Sequence, residues 1–109
     1  MDEQVFISYA RKDSDFARLL SQALCAEGFK TWIDIGAIQI GAIWREEIVN
    51  AIEVSSYFVV ILSVHSIQSE NVVKELSIAE SSDKAILPIL IDDVALPAQM
   101  KYQIGRAHV

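Results

Sequence analysis

Val5-Phe-Ile-Ser-Tyr-Ala-Arg-Lys-Asp13 is the stretch that decides how this chain of 109 residues folds. A short apolar run of β-forming residues, Val5 to Tyr9, meets a basic and polar turn, and an amphipathic segment follows at once from Ser14 to Glu27. A strand that ends in a polar turn just ahead of a helix is how α/β proteins build ligand sites at the carboxyl edge of a sheet. Three more apolar runs of strand length follow: Phe29 to Ile33, Tyr57 to Leu62 and Ala85 to Ile91.

The segments between these runs carry helical periodicity. In the first, Phe16, Leu19, Leu20, Ala23 and Leu24 form an apolar stripe, with Asp13 or Ser14 as N-cap and Gly28 as the stop. In the second the stripe is Trp44, Ile48, Ala51 and Ile52. In the third, Val72, Leu76 and Ala79 line up beside Val73, and Ser69 or Asn71 is placed to cap. Strand and helix alternating, with strands apolar on both faces, predict a parallel sheet covered on each side and joined by right-handed crossovers. The expected fold class is α/β, a flavodoxin-like three-layer fold with strand order 2-1-3-4-5. Pro88 has no N–H to give a ladder, which places the fourth strand near the edge. The tail through Leu96-Pro97 to Ile104 and Val109 reads as a fifth strand cut short, and residues 1–109 as a single domain taken from a longer protein.

Composition narrows the function classes. The net charge of -6 argues against nucleic acid or an anionic membrane as the main partner, since either would want clustered Lys and Arg. One cysteine, Cys25, excludes an internal disulfide. The start Met-Asp-Glu-Gln lacks the pattern of a signal peptide, and no apolar run approaches the ~20 residues of a membrane span, so the expectation is a cytoplasmic domain. A hydrophobic fraction of 52% is high for a small acidic domain, which fits either self-association or an isoleucine-rich core.

Ligand chemistry in a parallel sheet gathers where the strands end. Tyr9, Ala10 and Arg11 follow the first strand, Asp34 the second, and Ser63 and His65 the third, while Glu75 lies early in the third helix. On the helical wheel Glu75 sits about 60° from the centre of the buried stripe, at its rim. A carboxylate held there suits interaction with developing positive charge, and the same position also suits a boundary glutamate paired with a surface cation. His65 and His108 have no ligand cluster around them, so no metal site is expected.

Taken in order, Phe6-Ile-Ser-Tyr9, Trp32-Ile-Asp34, Gly41 with Trp44 and Ile48, Ser69 six residues before Glu75-Leu76, and Leu87-Pro-Ile89 resemble a Toll/interleukin receptor (TIR) domain of the bacterial type over essentially the whole chain. The resemblance implies a five-stranded flavodoxin-like fold and one of two functions. One is cleavage of the nicotinamide–ribose bond of NAD+ with Glu75 as the catalytic glutamate, giving ADP-ribose or a cyclised product, in the effector of an antiphage defence protein. The other is a non-catalytic scaffold that recruits further TIR domains.

For the enzyme branch, the resemblance places Tyr9, Ala10 and Arg11 at the pocket floor, with Arg11 suited to phosphates, and Asp34, Trp44, Ser69 and Asn71 around the substrate. NAD+ would be substrate, with no cofactor. One departure stands out: many TIR enzymes carry tryptophan four residues before the glutamate, where this chain has Asn71. The uncharged stretch Ile35-Gly-Ala-Ile-Gln-Ile-Gly-Ala-Ile43 resembles the family's assembly loop, in which Ile35, Ile38, Ile40 and Ile43 would dock on a neighbouring subunit. Head-to-tail contacts of that kind build filaments. The implied partners are further TIR domains and a fused or associated sensor. A phosphoacceptor receiver domain shares the fold, but Ser8-Tyr9 and Ser63 stand where its acids would be.

Overall fold

The computed structural model describes residues 3–33 and 41–107, with backbone alone for 41–45 and 105–107. Four strands, β1 (Gln4–Ser8), β2 (Lys30–Ile33), β3 (Tyr57–Leu62) and β4 (Ala85–Leu90), alternate with helices α1 (Ser14–Ala26), α2 (Gly41–Val54), α3 (Glu70–Ser81) and α4 (Ala98–Ala107). The strands form a parallel sheet in the order β2-β1-β3-β4, so the opening apolar run lies inside the sheet and the proline-bearing run at its edge, as the sequence predicts. The flavodoxin-like order holds over these four strands. A fifth strand is not among the described residues, and the tail offered for it is helical: α4 buries Met100, Gln103 and Ile104. Their spacing of three and four residues is that of one helix face, a period the short tail made easy to miss.

The two faces of the sheet are unequally covered. Val5, Ile7, Val59 and Ile61 face α1 and pack with Ala17. Phe6, Phe58, Val60, Leu62 and Ile86 face the other way, beneath Ile48 and Ile52 of α2, Val72 and Leu76 of α3, and Met100 of α4. Phe6 lies level with Trp32 and Phe58 on the adjacent strands, and its ring stacks on theirs at 4.9 Å and 5.3 Å. On the other face the expected stripe of α1 shifts: Leu19 and Ala23 are exposed, while Ala17 is fully buried and Phe16, Leu20 and Leu24 pack against the cluster. The covering arc follows Phe16 and Ala17 to Leu20 and Leu24, one position round the wheel from the expected one.

Two helix ends show why they stop. After α1, Gly28 adopts φ 98°, its N–H reaches Cys25 O at 3.0 Å and Phe29 N–H reaches Leu24 O at 3.1 Å. After α3, Asp83 takes the same role at φ 56°, with Asp83 N–H to Glu80 O at 3.1 Å and Lys84 N–H to Ala79 O at 3.0 Å. Both are Schellman closures, which satisfy the last carbonyls through a left-handed residue. Among the described residues no helix is long and apolar enough to cross a membrane.

Candidate functional site

Glu75 is the centre of the site, and it sits deeper than the wheel suggests. Its side chain is only 6% exposed, not at a rim. The reason lies in the packing of α3, which has the sheet beneath it, α2 on one side and α4 on the other, so its buried arc is wider than that of a helix on an open surface. A buried carboxylate needs hydrogen-bond donors. Ser8, the last residue of β1 and fully buried, donates its Oγ–H to Glu75 Oε1 at 2.7 Å. Strand alternation puts Ser8 on the face of Phe6, under α3, while Ile7 looks at α1.

Glu75 forms part of the wall of a cavity of about 430 Å³ between α2 and α3, together with Ile48, Asn71, Val73, Lys74, Ser77 and Ile78. That volume is within the ~300–1,000 Å³ of small-molecule sites. A second cavity of about 230 Å³ shares Val73 and Lys74 with it and is also lined by Ser69 and Glu70. Asn71, one turn before Glu75 on α3, therefore shares a wall with the glutamate. Ser69 belongs to the smaller cavity and caps α3, its Oγ accepting Val72 N–H at 3.3 Å; of the two cap candidates, Ser69 is the one.

The other expected site residues lie elsewhere. Ala10 is buried and leads into a single turn of 3₁₀ helix, Arg11–Asp13, closed by Asp13 N–H to Ala10 O at 2.8 Å. Arg11 is exposed on that turn. Tyr9, half-buried, packs with the α1-side cluster, across the sheet from Glu75. None of these three borders either cavity. Asp34, Ile35, Ile38 and Ile40 lie outside the described residues, as do the side chains of Ile43 and Trp44; α2 carries the latter two in its first turn. Among the described residues no cluster of His, Cys, Asp and Glu could hold a metal ion.

A second buried hydroxyl organises the edge where the strands end. Ser63, directly after β3 and fully buried, donates its Oγ–H to Asp13 Oδ2 at 2.5 Å and accepts the N–H groups of His65 at 3.1 Å and Ser66 at 3.0 Å. Asp13, expected as a candidate N-cap, makes no side-chain cap and spends its carboxylate on this bond. Asp92, after β4, accepts Val64 N–H at 2.9 Å. The loops after β1, β3 and β4 are thus tied to one another. The sequence placed Ser63 at this edge without a partner, whereas Ser8 was not among the expected site residues, although a lone hydroxyl closing an apolar strand marks it.

A model of the TIR domain family matches residues 5–108, nearly the whole chain. The chain belongs to the TIR domain family. Among solved structures, the TIR domain of the Toll-related receptor TRR-2 from Hydra magnipapillata is 29% identical, with a TM-score of 0.77 over 90% of this chain and 78% of that one. The TIR domains of the activated Roq1 resistosome, which recognises the pathogen effector XopQ, share the fold at 24% identity and a TM-score of 0.68, covering 98% of this chain and 67% of theirs. So does the Clostridium botulinum CMP N-glycosidase BcmB at 16% identity and a TM-score of 0.72, covering 96% of this chain and 82% of that one. No curated protein matches significantly. In this TIR domain the glutamate that the family resemblance singles out is thus the buried, hydroxyl-bound wall of the larger cavity.

Proposed function

We propose that this TIR domain cleaves the nicotinamide–ribose bond of NAD+, with Glu75 as the catalytic residue. The observation that carries the reading is a carboxylate 6% exposed, hydrogen-bonded by a buried hydroxyl and forming the wall of a cavity of ligand size. The chemistry asks for little more. The bond between the ribose anomeric carbon and the pyridinium nitrogen breaks, its electron pair leaves with the nitrogen, and nicotinamide departs neutral without an acid. The ribose gains oxocarbenium character, which a fixed carboxylate in a water-poor site stabilises. Water then adds at that carbon and loses a proton; attack by an atom of the same nucleotide would instead give a cyclised product. The cavity, with Asn71 where many enzymes of the family have tryptophan, would hold the ribose end, and the polar edge near Arg11 the phosphates.

Assembly would regulate the activity. The uncharged stretch from Ile35 to Ile43 supports docking on a second TIR domain, and a fused or associated sensor, in a cytoplasmic antiphage defence protein, would bring copies together. The same stretch favours the second reading, a non-catalytic TIR module whose work is recruitment alone. Nicotinamide release by concentrated or crowded protein, measured beside Glu75→Ala, separates the two. The enzyme reading expects release that the variant lacks; equal rates in both would overturn it.

A further inference from the structure

We infer that Ser8 is a positioning residue for Glu75, a role that rests on the cleavage proposed above. Ser8 lies level with Val60 in the sheet and follows Phe6 on the same face, so a hydroxyl replaces what the packing there would otherwise fill with an apolar side chain. It is fully buried and donates to Glu75 Oε1 at 2.7 Å. A strand inside a sheet is the most rigid mount the domain has, whereas a glutamate side chain has three rotatable bonds. Tying one carboxylate oxygen to β1 restricts how far the group can turn from a sugar bound in the cavity. Charge stabilisation falls off with distance, so a carboxylate free to turn away would bind the ground state as well and the transition state less.

The role therefore shows in turnover more than in substrate affinity. The test compares wild type with Ser8→Ala, Ser8→Thr, Ser8→Cys and Val60→Ala, each as concentrated protein, following nicotinamide release, KM and thermal midpoint. Ser8→Ala should lose about 10- to 100-fold in kcat, the factor that one hydrogen bond to a charged group corresponds to, with KM changed less than about 3-fold. Ser8→Thr, which restores the hydroxyl, should recover most of kcat. Val60→Ala, which loosens the same face without touching the carboxylate, should lower the thermal midpoint and keep kcat. In a Glu75→Gln background, Ser8→Ala should have no further effect on whatever rate remains.

A Ser8→Ala kcat within about 2-fold of wild type would overturn the inference and leave the function standing. A kcat loss that Val60→Ala reproduces at a similar midpoint would overturn it too, since packing alone would then account for the loss. Were Ser8→Ala to fail to fold, Ser8→Cys, whose S–H is a much weaker donor, is compared with Ser8→Thr: a lower kcat for the cysteine variant is expected, and equal kcat in the two would overturn the inference. Absence of cleavage by wild type would overturn the underlying reading, and this role with it.

Discussion

Ser63 illustrates how much one small polar side chain can hold. Its hydroxyl makes three hydrogen bonds at once, one given to Asp13 and two received from backbone N–H groups that start the turn toward α3. Removing it leaves a carboxylate and two N–H groups to find other partners, and leaving buried donors unpaired costs more than a lost hydrogen bond returns. Ser63→Ala should therefore destabilise the domain by about 2 kcal/mol, read as a shift of the urea midpoint without change in slope. Asp13→Asn, which keeps an acceptor oxygen for Ser63, should cost less than half of that. Equal losses from the two substitutions would show that the charge, and not the geometry, is what Asp13 supplies.

At the level of the elements, the two Schellman closures differ in one respect that a mutation can expose. Gly28 meets its left-handed φ without strain, but Asp83 carries a Cβ at φ 56°. Asp83→Gly should raise stability by up to about 1 kcal/mol, whereas Gly28→Ala, whose added Cβ meets no atom within 4 Å, should lower it by about 1 kcal/mol through backbone strain alone. Thermal melts of both variants check the pair, and opposite signs are expected.

The same elements show what could be read from the residues. All four strands and three helices were legible because their apolar runs and stripes are long enough to have a period, and Pro88 announced the sheet edge. The tail was not, since Met100 and Ile104 are the only apolar residues that mark its buried face among the described side chains, with Gln103 beside them, too few positions to declare a period. That omission carried over to the site. Without α4 the third helix looked like a surface helix, and Glu75 looked like a rim residue. Its placement on α3 was readable from the family pattern, but its burial depends on neighbours that are distant in sequence, Ser8 above all.

For the molecule as a whole, the stacked rings of Trp32, Phe6 and Phe58 bind three adjacent strands, β1 with its Ser8 in the middle. Phe6→Ala should cost about 3–5 kcal/mol, a large share of the ~5–15 kcal/mol that a domain of this size has in all. A thermal melt followed by circular dichroism should place that variant's midpoint roughly 10–30 °C below wild type. A folded variant with a midpoint near wild type would mean that the core closes over the lost ring.

Assembly is testable at this scale too. Ile38→Asp should stay dispersed at concentrations where wild type associates, by light scattering, and should release nicotinamide more slowly. A dispersed variant as fast as assembled wild type would uncouple association from activity.

The alternation of β1 has one more consequence. Both of its faces are apolar, so sliding the strand by a single residue would exchange one greasy set for another, and the hydrophobic pattern would register little change. The chemistry would register it completely, because Ile7 would arrive under α3 and the hydroxyl of Ser8 would be carried to the α1 side. A one-residue deletion between Val5 and Ser8 would thus remove the carboxylate's support as well as the ring stack that Phe6 makes with Trp32 and Phe58. The fold of this domain and the support of its buried carboxylate are written in the same strand, but in different grammars: the first needs only composition, the second needs parity.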